Sequence, residues 1–147
     1  MLLAAYAAYN RRDSDALLAL VSEDVNWPDS SARLHGKAEV RAYWTRQWAV
    51  TRTHDEPVRI TDLSLDRSIV RISQAVRTLD GTTISEGSFD HVYRIEGGLI
   101  VRMDIQDVGQ RIGFPSKRRF LSRNSYSIDR TGPTQKPLTV HHKLPLA

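Results

Sequence analysis

The chain has 147 residues, 40% of them hydrophobic, with 21 Lys/Arg against 17 Asp/Glu and a formal net charge of +4. Such a length fits one domain with a sizeable core, and the absence of cysteine excludes disulfide scaffolds, thiol catalysis and Cys-ligated metals. Residues 115–147 hold seven cations, Lys117, Arg118, Arg119, Arg123, Arg130, Lys136 and Lys143, against Asp129 alone, a net +6 that leaves −2 for the rest of the +4 chain. A phosphate-binding groove needs its cations in the folded part, so nucleic acid is not expected as a partner.

At the start, Leu2, Leu3, Tyr6, Ala7 and Tyr9 are spaced as on one helix, broken near Asn10-Arg11-Arg12. The helix begins abruptly at Met1, as if a preceding turn were missing. MLLAAYAAYN carries no basic leader or cleavage site, and no later run reaches the length of a membrane span, so a cytoplasmic protein with no membrane partner is expected. Asp13 or Ser14 can cap a second helix through Leu17, Leu18, Leu20 and Val21.

Val25-Asn26-Trp27-Pro28-Asp29 reads as a brief strand ended by its proline, and residues 30–36 read as a loop. A third helix is predicted from Lys37 to about Val50, with Val40, Trp44 and Trp48 at i, i+4 and i+8. That aromatic stripe is core packing or, in a fold that forms a cavity, pocket wall. Thr51–Glu56 reads as a connection. Four strand-like runs follow, Pro57–Leu65, Ile69–Thr78, Thr83–Ile95 and Leu99–Val108, punctuated by Asp66-Arg67 and Asp80-Gly81. Helices segregated ahead of a meander give an α+β fold, in which a curved, mostly antiparallel sheet wraps on three N-terminal helices as a cone-shaped α+β barrel. Residues 1–112 form this domain. Residues 113–147, basic and interrupted by Pro115, Pro133, Pro137 and Pro145, read as an extended or disordered tail.

Chemistry is concentrated in Ser88–Val108, two period-2 runs joined by Glu96-Gly97-Gly98, whose glycines supply the positive φ of a tight hairpin. Leu99, Val101, Met103 and Ile105 mark one buried face. Asp107 continues that odd-numbered row and Asp90 opens the other strand, so both are candidates to look into whatever the sheet encloses. A plainer reading makes Asp90 a solvated strand residue and Asp107 a loop residue. Strict alternation sends His91 to the face opposite Asp90, as a packing or surface histidine, and His35 lies beside the start of the third helix. His54, His141 and His142 complete the set, and none is spaced with a carboxylate as a metal site on one element requires. There is no nucleophile elbow, phosphate loop or dinucleotide fingerprint, which leaves chemistry without metal or cofactor.

Several stretches in order carry a resemblance: Ala7-Ala8-Tyr9-Asn10 with Arg12-Asp13, Leu17-Leu18-Ala19-Leu20, Ser22-Glu23-Asp24-Val25, Trp27-Pro28-Asp29, Gly36-Lys37-Ala38-Glu39-Val40, and the hairpin Asp90–Ile95 with Gly97–Val101. Over roughly residues 1–109 the chain resembles the nuclear transport factor 2-like superfamily, and within it the SnoaL-like, polyketide cyclase-like and ketosteroid isomerase-like proteins.

The resemblance implies a cone-shaped pocket for a small hydrophobic molecule and a homodimer formed through the sheet. The isomerase pattern lays Asp29 on the position of the proton-moving base and Asp90 on that of the oxyanion-holding aspartate. Its helix-1 tyrosine falls on Ala5, with Tyr6 adjacent and Tyr9 a turn further on. SnoaL-like members close polyketide rings with an acid/base carboxylate and no cofactor, for which Asp29, Asp90 and Asp107 are the candidates, Asp107 at the rim. Tyr9, Trp27, Trp44, Trp48, Val92 and Met103 would form the ligand wall. A further branch hydrolyses epoxides with an arginine and two aspartates; its nearest match is Arg102-Met103-Asp104, whose polar pair lies opposite the apolar face. The same superfamily also supplies non-catalytic ligand carriers and dimerisation modules.

Overall fold

The computed structural model describes residues 1–29 and 32–108, so the basic tail lies outside the described residues. Two short helices open the chain, α1 (Leu2–Asn10) and α2 (Ser14–Leu18). Asp13 caps α2, its Oδ1 accepting from the Ala16 N–H at 3.0 Å. Strand β1 (Val21–Pro28) begins four residues earlier than its apolar pattern suggests. Strand β2 (Arg33–His35) forms inside the stretch read as a loop, and α3 (Lys37–Val50) follows as predicted.

The remaining strands are β3 (Thr51–Ser64), β4 (Arg67–Thr78), β5 (Thr83–Glu96) and β6 (Leu99–Asp107). Together the six form one mixed sheet in the order β2-β1-β6-β5-β4-β3, curved but not closed. The architecture is thus the expected α+β one. The departure from antiparallel pairing is β1, which runs parallel to β6 and so ties the first strand to the last. Arg33 on β2 reinforces that seam, donating to Asp104 Oδ1 and to the Met103 carbonyl, both at 2.7 Å.

Strand β3 starts directly from the end of α3, where the sequence suggested a connection. Thr51-Arg52-Thr53-His54-Asp55-Glu56 alternates like any strand, but its inward positions are polar: Thr51, Thr53 and Asp55 are buried and the residues between them are not. A hydrophobic period cannot reveal a strand whose buried side carries hydroxyls and a carboxylate.

The core lies between the helices and the inner face of the sheet, around Leu17, Val21, Val25, Val40, Trp44, Val70, Ile72 and Ile100. Gly97 and Gly98, at φ 57° and 75°, make the β5–β6 turn as expected. Just beyond it the register changes. Ile95 pairs with Ile100, but Arg94 pairs with Arg102, so Val101 is an extra residue, a β-bulge. On the turn side of the bulge the buried residue is Ile100; beyond it the buried residues are Met103 and Ile105, while Leu99 and Val101 are only half-buried. The expected single odd-numbered apolar row is therefore broken at Val101.

Candidate active site

The inner face of the sheet, α1 and α3 enclose a cavity. Tyr6 and Tyr9 of α1, Trp27 of β1, and Tyr43 and Trp44 of α3 give it an aromatic wall, and Met103 and Ile105 of β6 close the sheet side. Three polar side chains reach it from the sheet: Asp55 of β3 and His91 and Tyr93 of β5. The open space inside is about 30 Å³. That is room for one or two waters, so a larger ligand requires the aromatic wall to move apart.

Asp55 is 3% exposed. Its cross-strand partner is Gln74, whose Nε2 donates to Asp55 Oδ1 at 2.9 Å. Because β3 is the edge of the sheet, its outer backbone groups need another partner, and Asn10 at the end of α1 supplies it. The Asn10 amide donates to the Asp55 carbonyl and accepts from the Asp55 N–H, both at 2.9 Å, like one residue of a missing strand. Burial pushes the Asp55 carboxyl up to about 6, against the opposing pull of the Gln74 hydrogen bond and the His54 charge. At pH 7 the group is mostly ionised yet more basic than a free carboxylate, as a general base requires.

His91 is 2% exposed, and burial lowers its pKa to about 4 despite the neighbouring charge of Asp90. The imidazole is neutral at pH 7. Tyr93 Oη donates to Tyr6 Oη at 2.8 Å, and Tyr6 Oη lies 2.8 Å from His91 Nδ1. With its acceptor side taken by Tyr93, the Tyr6 hydroxyl has its own proton for Nδ1, which assigns the ring proton to Nε2. Nε2 is buried without a hydrogen-bond partner among the described residues. Burial raises the pKa of both tyrosines, so the relay stays protonated. Tyr9, whose pKa burial also raises, donates to Gln47 Oε1 at 3.0 Å.

Of the residues singled out in the sequence, Tyr9, Trp27, Trp44 and Met103 line the cavity. Trp48 stands behind the wall, stacked on Trp44 at 5.9 Å and tilted against Tyr9 at 5.6 Å. Asp90 and Val92 lie on the outer face. The Val101 bulge is the reason: without it the two-residue turn would set Asp90 opposite Ile105, but the shifted register pairs Asp90 with Gln106 and His91 with Ile105. Asp90 is nonetheless 1% exposed and is held by Arg71, whose Nε and Nη2 donate to its two oxygens at 2.9 and 3.1 Å.

Asp29, half-buried, follows the cavity-lining Pro28 but is not itself part of the lining, and Asp107 sits half-buried at the end of β6 opposite Phe89. The three sequence-identified aspartates do not converge. Arg102 and Asp104 pair with each other on the outer face, as their phase predicted. The groups that do line the cavity together, Asp55, His91 and Tyr6, are not among the site residues that the sequence pattern singles out. For Asp55 the available signal was the Thr51/Thr53/Asp55 alternation; for His91 it was its own phase, opposite to Asp90. No three His, Asp or Glu side chains among the described residues stand together as metal ligands.

An open, curved sheet wrapped on three helices around an aromatic cavity defines a cone fold of the nuclear transport factor 2-like kind. The family model of the SnoaL-like domain matches residues 2–103, and the chain belongs to that family. Among solved structures, an NTF2-like protein of unknown function from Burkholderia pseudomallei is 26% identical (TM-score 0.64), over 72% of this chain and 86% of that one. A proposed polyketide cyclase from Sinorhizobium meliloti is 25% identical (TM-score 0.60), over 69% and 88%. TerC, co-crystallised with polyporic acid, is 24% identical (TM-score 0.64), over 72% and 87%. No curated protein matches the chain.

Proposed function

We propose that the cavity binds a small, largely apolar molecule bearing a carbonyl or enol oxygen, and that the chain moves a proton on it in an isomerisation or ring closure without a cofactor. Asp55 is the base, removing a proton from the carbon beside the carbonyl. The neutral His91 donates from Nε2 to the oxygen on which charge develops, with Tyr6 and Tyr93 holding its tautomer. The observation that carries this reading is the meeting, at one aromatic cavity, of a buried carboxylate with a pKa of about 6 and a buried imidazole whose Nε2 has no partner among the described residues. The likeness to a proposed polyketide cyclase supports the same class.

Exchange of α-protons for solvent deuterium in a panel of aromatic and cyclic ketones tests it. The expected result is exchange whose rate rises through an apparent pKa near 6 and falls at least a hundredfold in Asp55→Asn. Exchange no faster than in buffer across the panel, with the ketones shown to bind, would favour a non-catalytic ligand carrier. A second element of the proposal is a homodimer through the sheet, supported by the exposed apolar side chains Val58, Leu63 and Leu65 along the β3–β4 hairpin. Light scattering that returns the monomer mass overturns that element.

A further inference from the structure

The outer face of the sheet holds an arrangement that the cavity chemistry does not use. Arg59 and Arg71 are direct cross-strand partners on β3 and β4, and Asp90 is the next residue of the same row, on β5. Two like charges set opposite each other in a sheet repel. Asp90 supplies one negative charge to the pair and is committed to Arg71 by the two hydrogen bonds described above. Arg59 has no carboxylate within salt-bridge distance among the described residues. Among the described residues, the row therefore holds two guanidinium groups against one carboxylate.

The surroundings are shaped as well as charged. Arg59, Thr61, Ile69, Arg71 and Asp90 line a concavity of about 170 Å³, larger than the space inside the cone. Thr61 and Ile69 are themselves cross-strand partners, adding a hydroxyl and an apolar side chain beside the arginines. Arg71 is fixed through Nε and Nη2 on a carboxylate 1% exposed, so its guanidinium is oriented before any ligand arrives and the edge bearing Nη1 is not used in that pair. Preorganised forks of this kind suit carboxylate and phosphate oxygens, which accept two N–H bonds in one plane.

We infer that this concavity is a binding site for a small oxyanion, a carboxylate or phosphate group, gripped between Arg59 and Arg71 with Thr61 and Ile69 alongside. The ligand's negative charge meets the two guanidinium groups of Arg59 and Arg71. Any apolar stem it has lies on Ile69. The site is on the opposite side of the sheet from Asp55 and His91, so it stands or falls independently of the proton chemistry proposed for the cavity.

Amide-resolved NMR titration of the full chain at constant ionic strength tests it, with inorganic phosphate in one arm, butyrate in a second and chloride as the control. Saturable shifts at the amides of Thr61, Ile69 and Arg71 are expected in at least one of the first two arms and not with chloride. A response to phosphate alone identifies a phosphorylated ligand, and a stronger response to butyrate a carboxylic acid. Arg59→Gln, an edge-strand change, is expected to weaken binding at least tenfold while leaving the melting temperature and the cavity's ketone exchange unchanged. Equal shifts with chloride, or undiminished binding in Arg59→Gln, overturn the assignment. Shifts at the same amides that follow protein concentration, with no saturable response to either anion, overturn it as well, because the sheet dimer then covers the concavity.

Discussion

Asp55 and Gln74 face each other across β3 and β4, and the Gln74 amide donates to Asp55 Oδ1 at 2.9 Å inside the cone. That single neutral donor does not offset burial, which is why the carboxyl titrates at about 6. The group is kept ionisable at a cost to the fold. Asp55→Asn is therefore expected to abolish proton transfer while leaving the protein at least as stable at pH 7.5, with a gain of up to about 3 kcal/mol from the two-unit shift. Urea unfolding checks it; a loss of more than about 1 kcal/mol would mean that the charge itself holds the structure.

The pH dependence of stability contains two opposed contributions. Asp55 is protonated in the fold up to about 6 but ionised in the unfolded chain above about 4, so its contribution falls as pH rises through that window. His91 stays neutral in the fold down to about 4 but takes a proton in the unfolded chain below about 6.5, so its contribution rises with pH through nearly the same window. The two nearly cancel in the natural chain. In Asp55→Asn the histidine contribution stands alone, and stability is expected to climb by about 3 kcal/mol between pH 4 and 6.5. Urea midpoints at those two pH values measure the climb, and a flat profile in the variant rejects the buried neutral histidine.

Tyr6 sits between Tyr93 and His91, so Tyr6→Phe removes both hydrogen bonds of the relay at once. The cost expected is about 1–3 kcal/mol of stability. More diagnostic is the ring itself: nitrogen NMR of His91 should show the proton on Nε2 in the natural chain and a mixed population in the variant. An unchanged tautomer would show that Tyr6 is packing only.

Asn10 closes the edge of β3 at Asp55 with two hydrogen bonds. Asn10→Ala should leave a buried backbone pair unmet and lower stability by about 2 kcal/mol. Faster hydrogen exchange at the Asp55 amide is expected alongside. Protection equal to that of the natural chain would mean that water or another group serves there equally well.

Much of this could be read from the chain and one part could not. Helix α3, the Gly97-Gly98 turn and the aromatic wall of Tyr9, Trp27 and Trp44 follow from spacing and turn chemistry, because each depends on residues only a few positions apart. Asp55 was hidden because an inward polar row has no hydrophobic period. Alternation does place Asp90 and His91 on opposite faces, but it does not say which of the two faces is the inner one.

The amino-acid sequence by itself determined the three helices, most of the strands, the family resemblance and the aromatic lining, since local periodicity and turn residues specify elements directly. Which face of β5 looks inward was decided only by the tertiary structure. A single extra residue, Val101, slips the β5–β6 register by one, and a slip of one exchanges the two faces of a strand. That exchange puts His91 into the cavity that Asp55 also lines, and Asp90 onto Arg71 at the outer face.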